Sequence, residues 1–343
     1  MSRLPLRWRD TAWAVVGLVL LLLVPFVTDK PFARDFIMFA MAYGLLAMSL
    51  NLLVGYTGLV SFGHAMFFAT GSYAFGLAMQ SGHFSIPAAF GLGIVFTAVV
   101  ALVVGAICVR LNEIYFAFLT LAFQMLIYNV ILAWVSFTGG DQGLMGGIPR
   151  PKFLGIDLAD RMQLYVFCSV VFVICMLIMR QLVVSPFGYT LRLIRDNQER
   201  AAFLGVDVVG VKLVCFVISA CMAAVGGMLL ALFVSGAYPN FGFWTTSGEA
   251  IFMIMMGGTG VFLGPLLGTV IFRVLNDVIV VYTSHTELVL GIVILVFVLG
   301  LRKGLLDVLA ERLERRQQAA AFERAKAEPD QARAGAPESR RRP

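Results

Sequence analysis

Apolar residues along this 343-residue chain gather into runs far longer than a strand, parted by short polar breaks. The runs fall at about 13–27, 36–54, 61–79, 86–109, 114–135, 162–184, 213–234, 250–256, 265–282 and 288–301. Many reach the ~20 apolar residues a helix needs to cross about 30 Å of hydrocarbon, and none shows the alternation of an outer-membrane strand. The pattern predicts an all-α, polytopic membrane protein of about ten transmembrane helices. The first run follows a basic start, MSRLPLRWRD, yet no small-residue cleavage site closes it, so it reads as an uncleaved span. Residues 1–35 then hold that span and the loop after it, 36–301 the core, and 302–343 a charged tail.

One break is too long and too polar to be a simple turn. Residues 185–212, SPFGYTLRLIRDNQERAAFLGVDVVGVK, carry seven charged side chains between two membrane-length runs. Ser185 and Pro186 end the preceding span, because proline disfavours helix in the residue before it. Leu191, Ile194 and Gln198 then interleave with Arg192, Arg195, Asp196 and Glu199 at helical spacing, and Gly205 is a natural stop. The spacing predicts a short helix or helix pair along the membrane surface, with Asp207 capping the next span. It reads as a docking element for a soluble partner, the alternative being an interfacial loop without one.

Composition agrees with the bilayer: 60% hydrophobic, 13% charged, mean hydropathy +0.89. The net charge of +6 does not indicate a nucleic-acid binder. Residues 302–343 alone hold eleven Lys/Arg against seven Asp/Glu, a solvated tail suited to an anionic membrane face. Arg3, Arg7, Arg9, Arg110, Arg192, Arg195, Arg200 and the tail share one side when the spans are even in number, which places both termini in the cytoplasm. Lys30, Arg34, Arg150, Lys152 and Arg161 fall opposite, as does the segment 237–246. The five cysteines all sit in apolar runs without a CxxC pair, as small hydrophobes.

No catalytic apparatus assembles. HExxH, GxSxG and CxxC are absent and the three histidines are scattered, so the chain reads as a non-enzyme. A GxxxxGK[ST] phosphate loop is absent too, so any ATP that drives this machine is hydrolysed by another chain. Polar residues at bilayer depth are the remaining candidates: Asn51, Tyr56, Ser61, His64, Gln124 and Asn129 either join helix to helix or line a path. Arg273 and Asp277, four apart, can pair with each other or serve a proton relay. Glycines cluster at 55–76 and 257–268, and both clusters contain G-x-T-G, at Gly55 and Gly257. Such glycines serve close packing or broken helices, and paired Gly-interrupted segments are a mark of repeat-built transporters.

Three blocks, in order, give the chain a family likeness. LNLLVGYTGLVSFGHAMFFATGSYAFG (50–76), EIYFAFLTLAFQ (113–124) with TGGDQGLMGGIPRP (138–151), and SPFGYTLRLIRDNQERAAFLGVD (185–207) together resemble the LivM-type permease subunit of bacterial branched-chain amino acid ABC transporters. The likeness spans about 36–306. It implies a type II importer-like fold in the bacterial inner membrane, paired with a LivH-type permease, two ABC ATPase subunits and a periplasmic substrate-binding protein. ATP and magnesium would then belong to the ATPase subunits, with no cofactor on this chain. The cytoplasmic coupling helix would fall on 185–207, with Ser185, Gly188, Arg195, Asp196, Asn197, Ala201, Ala202 and Gly205 in the matching positions. Leucine, isoleucine and valine are the implied cargo; family members also carry urea, amides and aromatic acids, and Ser72, Leu59 and Glu113 depart from the family pattern. An ion-coupled secondary transporter is the competing class.

Overall fold

A computed structural model describes residues 31–300, apart from 112, 145–146, 151, 154–155 and 284, together with 304, 305 and 307. The expected first span and most of the tail lie outside the described residues. The regular structure among the described residues is helical except for one two-residue antiparallel ladder, Lys152–Phe153 with Ile156–Asp157.

The helices are α1 (Pro31–Thr57), α2 (Ala65–Gln80), α3 (Ile86–Cys108), α4 (Glu113–Ala133), the single turn α5 (Val135–Thr138), α6 (Arg161–Val184), α7 (Pro186–Asp196), α8 (Gln198–Phe203), α9 (Val208–Val234), α10 (Trp244–Gly257), α11 (Gly264–Tyr282) and α12 (Thr286–Gly300). Six of them, α1, α3, α4, α6, α9 and α11, are long and apolar enough to cross a membrane. The others that correspond to apolar runs, α2, α10 and α12, have 16, 14 and 15 residues. At 1.5 Å per residue these reach only about 21–24 Å, short of a full hydrocarbon crossing.

Two helices make the centre. The membrane-length windows of α1 and α9 are 78% and 67% buried within the protein, against 28% for α3 and α4. The low figure belongs to a face of Val95, Phe96, Val99, Leu102, Val103 and Ile107 that stands open on α3, as a lipid-facing helix requires. Around the centre the backbones come unusually close. A Cβ on Gly71 would lie 2.6 Å from the Ala224 backbone, one on Gly226 would lie 2.7 Å from the Ala42 carbonyl, and one on Gly227 would overlap the Phe68 carbonyl. Glycine alone fits where α9 presses against α1 and α2 at once, the small-residue packing that replaces hydrophobic drive inside lipid.

The two shorter helices beside this centre follow breaks. After α1 the chain leaves helix at Gly58 and restarts at Ala65. After α9, Ser235 adopts a left-handed conformation and residues 236–243 run irregularly through Pro239–Gly242 before α10 begins. The connection expected at 237–246 is packed inside the protein over part of its length. Ala237, Pro239 and Gly242 are buried, because α2 and α4 wall the segment in and Phe241 rests edge-on against Phe68. The third run, expected to be continuous from 61, is likewise interrupted until 65, and the eighth, expected over 250–256, is the end of a helix that starts at Trp244.

Candidate functional site

The two breaks meet. The amide of Ala65, first residue of α2, donates to Ser247 Oγ of α10 at 2.9 Å. Ser247 in turn donates to Gln124 Oε1 at 3.0 Å, and Gln124 Nε2 donates to the Gly242 carbonyl at 2.9 Å. Gln124 stands midway along α4, so the two short helices begin near the middle of the bundle with their N-termini facing each other. Backbone groups released at a break must find partners inside the protein, since lipid offers none. Gln124 and Ser247, both fully buried, provide them.

Beside this junction lies His64, with no exposed surface. Its Nε2 is 3.0 Å from Ser49 Oγ on α1 and 3.4 Å from Ser219 Oγ on α9. Both hydroxyls already donate elsewhere, Ser49 to the Leu46 carbonyl and Ser219 to the Ser49 carbonyl. They can only accept, which assigns the proton to Nε2 and leaves Nδ1 as an acceptor. That Nδ1 has no hydrogen-bond partner among the described residues, and neither do the buried Ser61 Oγ and Asn51 Oδ1. Phe67 stands edge-on to the imidazole and Phe216 edge-on to Phe67, closing the space around it.

Of the polar residues proposed for a path, His64, Ser61 and Gln124 are thus brought to one buried region. Asn51 lies lower on α1, its amide 3.4 Å from the Thr259 carbonyl. Tyr56 is on the last turn of α1 under the Arg192 guanidinium, 5.3 Å from its ring centre. Asn129 is not with them; it lies exposed on α4, its amide donating to Met125 O at 2.7 Å. Arg273 and Asp277 pair at 3.1 Å, and Arg273 also lies 4.6 Å over the Phe39 ring.

The polar insert is a helix pair held by three consecutive caps. Ser185 Oγ accepts from Gly188 N, Asn197 Oδ1 from Arg200 N at 2.8 Å, and Asp207 Oδ1 from Gly210 N at 3.0 Å. Each closes an N-terminus whose amides have no helical partner. Asn197 divides the expected contact helix in two, and Gly205 ends it at φ +83°. Leu191, Ile194 and Ala201 face inward. Arg195 donates to the Gly55 carbonyl at the end of α1, and Arg192 to the Val183 carbonyl of α6 at 3.1 Å. The outer face carries Tyr189, Ala202, Phe203 and Leu204, with Phe203 92% exposed.

At the same end the two G-x-T-G segments, distant in sequence, lie against each other. A Cβ on Gly55 would sit 2.8 Å from the Thr259 carbonyl, so only glycine lets the end of α1 touch the turn after α10. Asp307 holds that turn from the other side, accepting from Gly260 N and Val261 N at 3.2 Å each. Asp307 drew no attention in the sequence, where it is one charge in a charged tail. Arg150 was missed as well: it donates Nε to Leu232 O at 2.9 Å and Nη2 to Phe233 O, closing the C-terminus of α9. No group of His, Cys, Asp and Glu among the described residues could hold a metal ion.

Comparison with known proteins places this geometry. The family model described as branched-chain amino acid transport system / permease component matches residues 32–299. The high-affinity branched-chain amino acid transport system permease protein LivM of Escherichia coli is 24% identical over 340 residues, 92% of this chain and 80% of its own. A probable LivM of Methanocaldococcus jannaschii is 24% identical over 290 residues, 73% of this chain and 82% of its own. The LivH permease of Escherichia coli is also 24% identical, over 77% of this chain and 91% of its own. No solved structure matches. With six membrane-length helices among the described residues of its matched region, the chain belongs to the branched-chain amino acid transport permease family.

Proposed function

We propose that the chain is a transmembrane permease subunit of an ATP-binding cassette importer, carrying leucine, isoleucine or valine delivered by a periplasmic binding protein. It pairs with a LivH-type subunit, and two ABC ATPase subunits dock on 185–207 at the cytoplasmic face of the inner membrane. ATP and magnesium reside on those subunits. Both termini face the cytoplasm, in keeping with the basic insert and tail.

The observation that carries the reading is the way the insert is fastened. A connection needed only to join α6 to α9 has no reason for three caps, a buried apolar face and an arginine reaching the last turn of α1. Fixed to the core on one side, it offers exposed Tyr189, Phe203 and Leu204 on the other, an apolar patch in water that suits a protein partner. Motion of that partner would reach Gly55 through Arg195, and from Gly55 the seam with Thr259. Beyond the seam, the junction of the two short helices with His64 and Ser61 is the place where cargo would cross, by analogy with transporters that bind between broken helices.

The test is uptake in proteoliposomes containing the chain together with its cognate permease, ATPase and binding proteins. Phe203→Asp should leave the chain inserted and abolish ATP-driven leucine uptake. Undiminished uptake would refute the docking assignment. Uptake by this chain alone, driven by an ion gradient, would replace the reading with a secondary transporter.

A further inference from the structure

At the end of the bundle opposite the insert, the N-termini of α1 and α6 and the C-terminus of α9 surround a cavity of about 270 Å³. Arg34 and Asp35 of α1, Arg150 of the connecting loop and Arg161 of α6 line it, over an apolar floor that includes Met38 and Leu164. Three arginines and one aspartate therefore share the lining. Asp35 is 3.8 Å from Arg161. Arg150 is held by the α9 carbonyls with guanidinium donors to spare, and Arg34 has no ion pair among the described residues.

The placement runs against ordinary helix electrostatics. Helix N-termini carry partial positive charge and favour acidic residues, yet Arg34 is in the first turn of α1 and Arg161 opens α6. The nearby Asp160 is engaged as the cap of α6 through Met162 N. The N-terminal ends of α1 and α6 and three arginines thus add positive potential in one recess, offset in part by Asp35 and the C-terminal end of α9. Burial first, and after it the Arg161 guanidinium, pull Arg150 below the ordinary arginine range. Breaking a local rule in this way is expected at functional sites.

We infer that this cavity is a binding site for the carboxylate of a free amino acid, with Arg34 and Arg150 as the carboxylate clamp, Asp35 facing the ammonium, and Met38 and Leu164 receiving an aliphatic side chain. The cavity is near the lower bound of small-molecule sites, about 300 Å³, which suits a single small solute. Guanidinium pairs recognise carboxylates through planar, two-point hydrogen bonding. The assignment rests on the importer reading for its choice of cargo, and the recess would then be the first place on this chain to meet it.

The test is calorimetric titration of the full-length chain in lipid nanodiscs with L-leucine, N-acetyl-leucine, leucinamide and the α-amide of N-acetyl-glutamic acid. Leucine should bind at least tenfold more tightly than leucinamide, which lacks the carboxylate, with N-acetyl-leucine between them. Arg34→Gln should weaken leucine at least tenfold, while Arg34→Lys, which keeps the charge and loses the planar fork, should recover part of it, a graded rescue that separates charge from folding. Equal binding of leucine and leucinamide, or unchanged binding by Arg34→Gln, would overturn the site. Binding of the glutamyl probe without leucine would also overturn it, pointing to an acidic side chain of a docked protein. The readings fail separately: absent ATP-driven uptake by the parent assembly refutes the importer, whereas absent leucine binding beside intact uptake refutes this cavity alone.

Discussion

Replacing Arg195 with methionine keeps a long side chain and removes the charged hydrogen bond from the insert to the end of α1, leaving the Arg192 guanidinium over Tyr56 in place. The guanidinium donates to the Gly55 carbonyl from a side chain that is 40% exposed. Its other neighbour, Asp196 at 3.5 Å, is 71% exposed and contributes little, since surface pairs are worth about 0–1 kcal/mol. A hydrogen bond from a charged donor contributes roughly 1.5–3 kcal/mol when sheltered, and partial exposure brings this one to the lower end, about 1.5 kcal/mol. Leu191, Ile194 and Ala201 still anchor the helix pair, so the loss falls on local opening and leaves the membrane core folded. An opening free energy lower by about 1.4 kcal/mol is a tenfold larger open population. Hydrogen exchange read by mass spectrometry should therefore show amides of α7 exchanging about tenfold faster, with α1 and α9 unchanged. In the reconstituted assembly the same variant should hydrolyse ATP with reduced leucine uptake. Unchanged exchange in α7 would show that the Gly55 contact does not hold the insert, and unchanged uptake would show that force does not pass through it.

Four further outcomes are expected from the geometry. Gly227→Leu places a side chain into the Phe68 carbonyl where α9 meets α2, so the folded chain should be lost from detergent extracts by size-exclusion chromatography, while Gly91→Leu, at an exposed glycine of α3 with open space beside it, should behave as wild type. Gln124→Leu removes the partner of both Ser247 and the Gly242 carbonyl, an expected loss of about 1–3 kcal/mol for each group left unpaired, seen as a lower midpoint of thermal unfolding. Asp307→Asn keeps two weak acceptor contacts and should cost less than Asp307→Ala, which frees both Gly260 N and Val261 N; hydrogen exchange across 258–263 should rank the two variants in that order. Arg273→Met alone should destabilise more than the double change with Asp277→Leu, because the single change leaves a carboxylate at bilayer depth without its partner.

Hydropathy made the long helices legible, since 23 residues such as Ile86–Cys108 leave no other way to satisfy a backbone in lipid. It also marked the insert, whose caps are written as Ser185, Asn197 and Asp207. What it could not show is where a run stops being helical inside the bundle. Residues 58–64 (GLVSFGH) and 236–243 (GAYPNFGF) carry two glycines each, with a serine in the first and a proline and an asparagine in the second, which reads equally well as a loop or as a packed interruption. Only the walls decide between them, and Gln124, which provides the Gly242 partner, is 118 residues away in sequence. The G-x-T-G pair was visible as a likeness of two segments, but a likeness does not say that they touch. Asp307 and Arg150 were hidden for another reason: each binds backbone groups, and backbone groups leave no trace in the sequence of their partner.

The same bookkeeping sorts the polar residues at the junction by what remains after the backbone is satisfied. Gln124 has its amide nitrogen on Gly242 O and its oxygen under Ser247, and Ser247 accepts from Ala65 N while donating to Gln124. Neither has an evident vacancy, so their presence at bilayer depth is explained by the two breaks alone. Ser49 and Ser219 are engaged in the same sense, each donating to a carbonyl and accepting from His64. His64 Nδ1 and Ser61 Oγ differ: both are buried and without partners among the described residues, a state that costs about 1–3 kcal/mol for each group and that packing alone does not require. A polar group kept unpaired between two helix N-termini is one that a passing polar solute or a water can engage. The cargo path proposed for this region therefore rests on His64 and Ser61, and changes at Gln124 report on the fold that holds them.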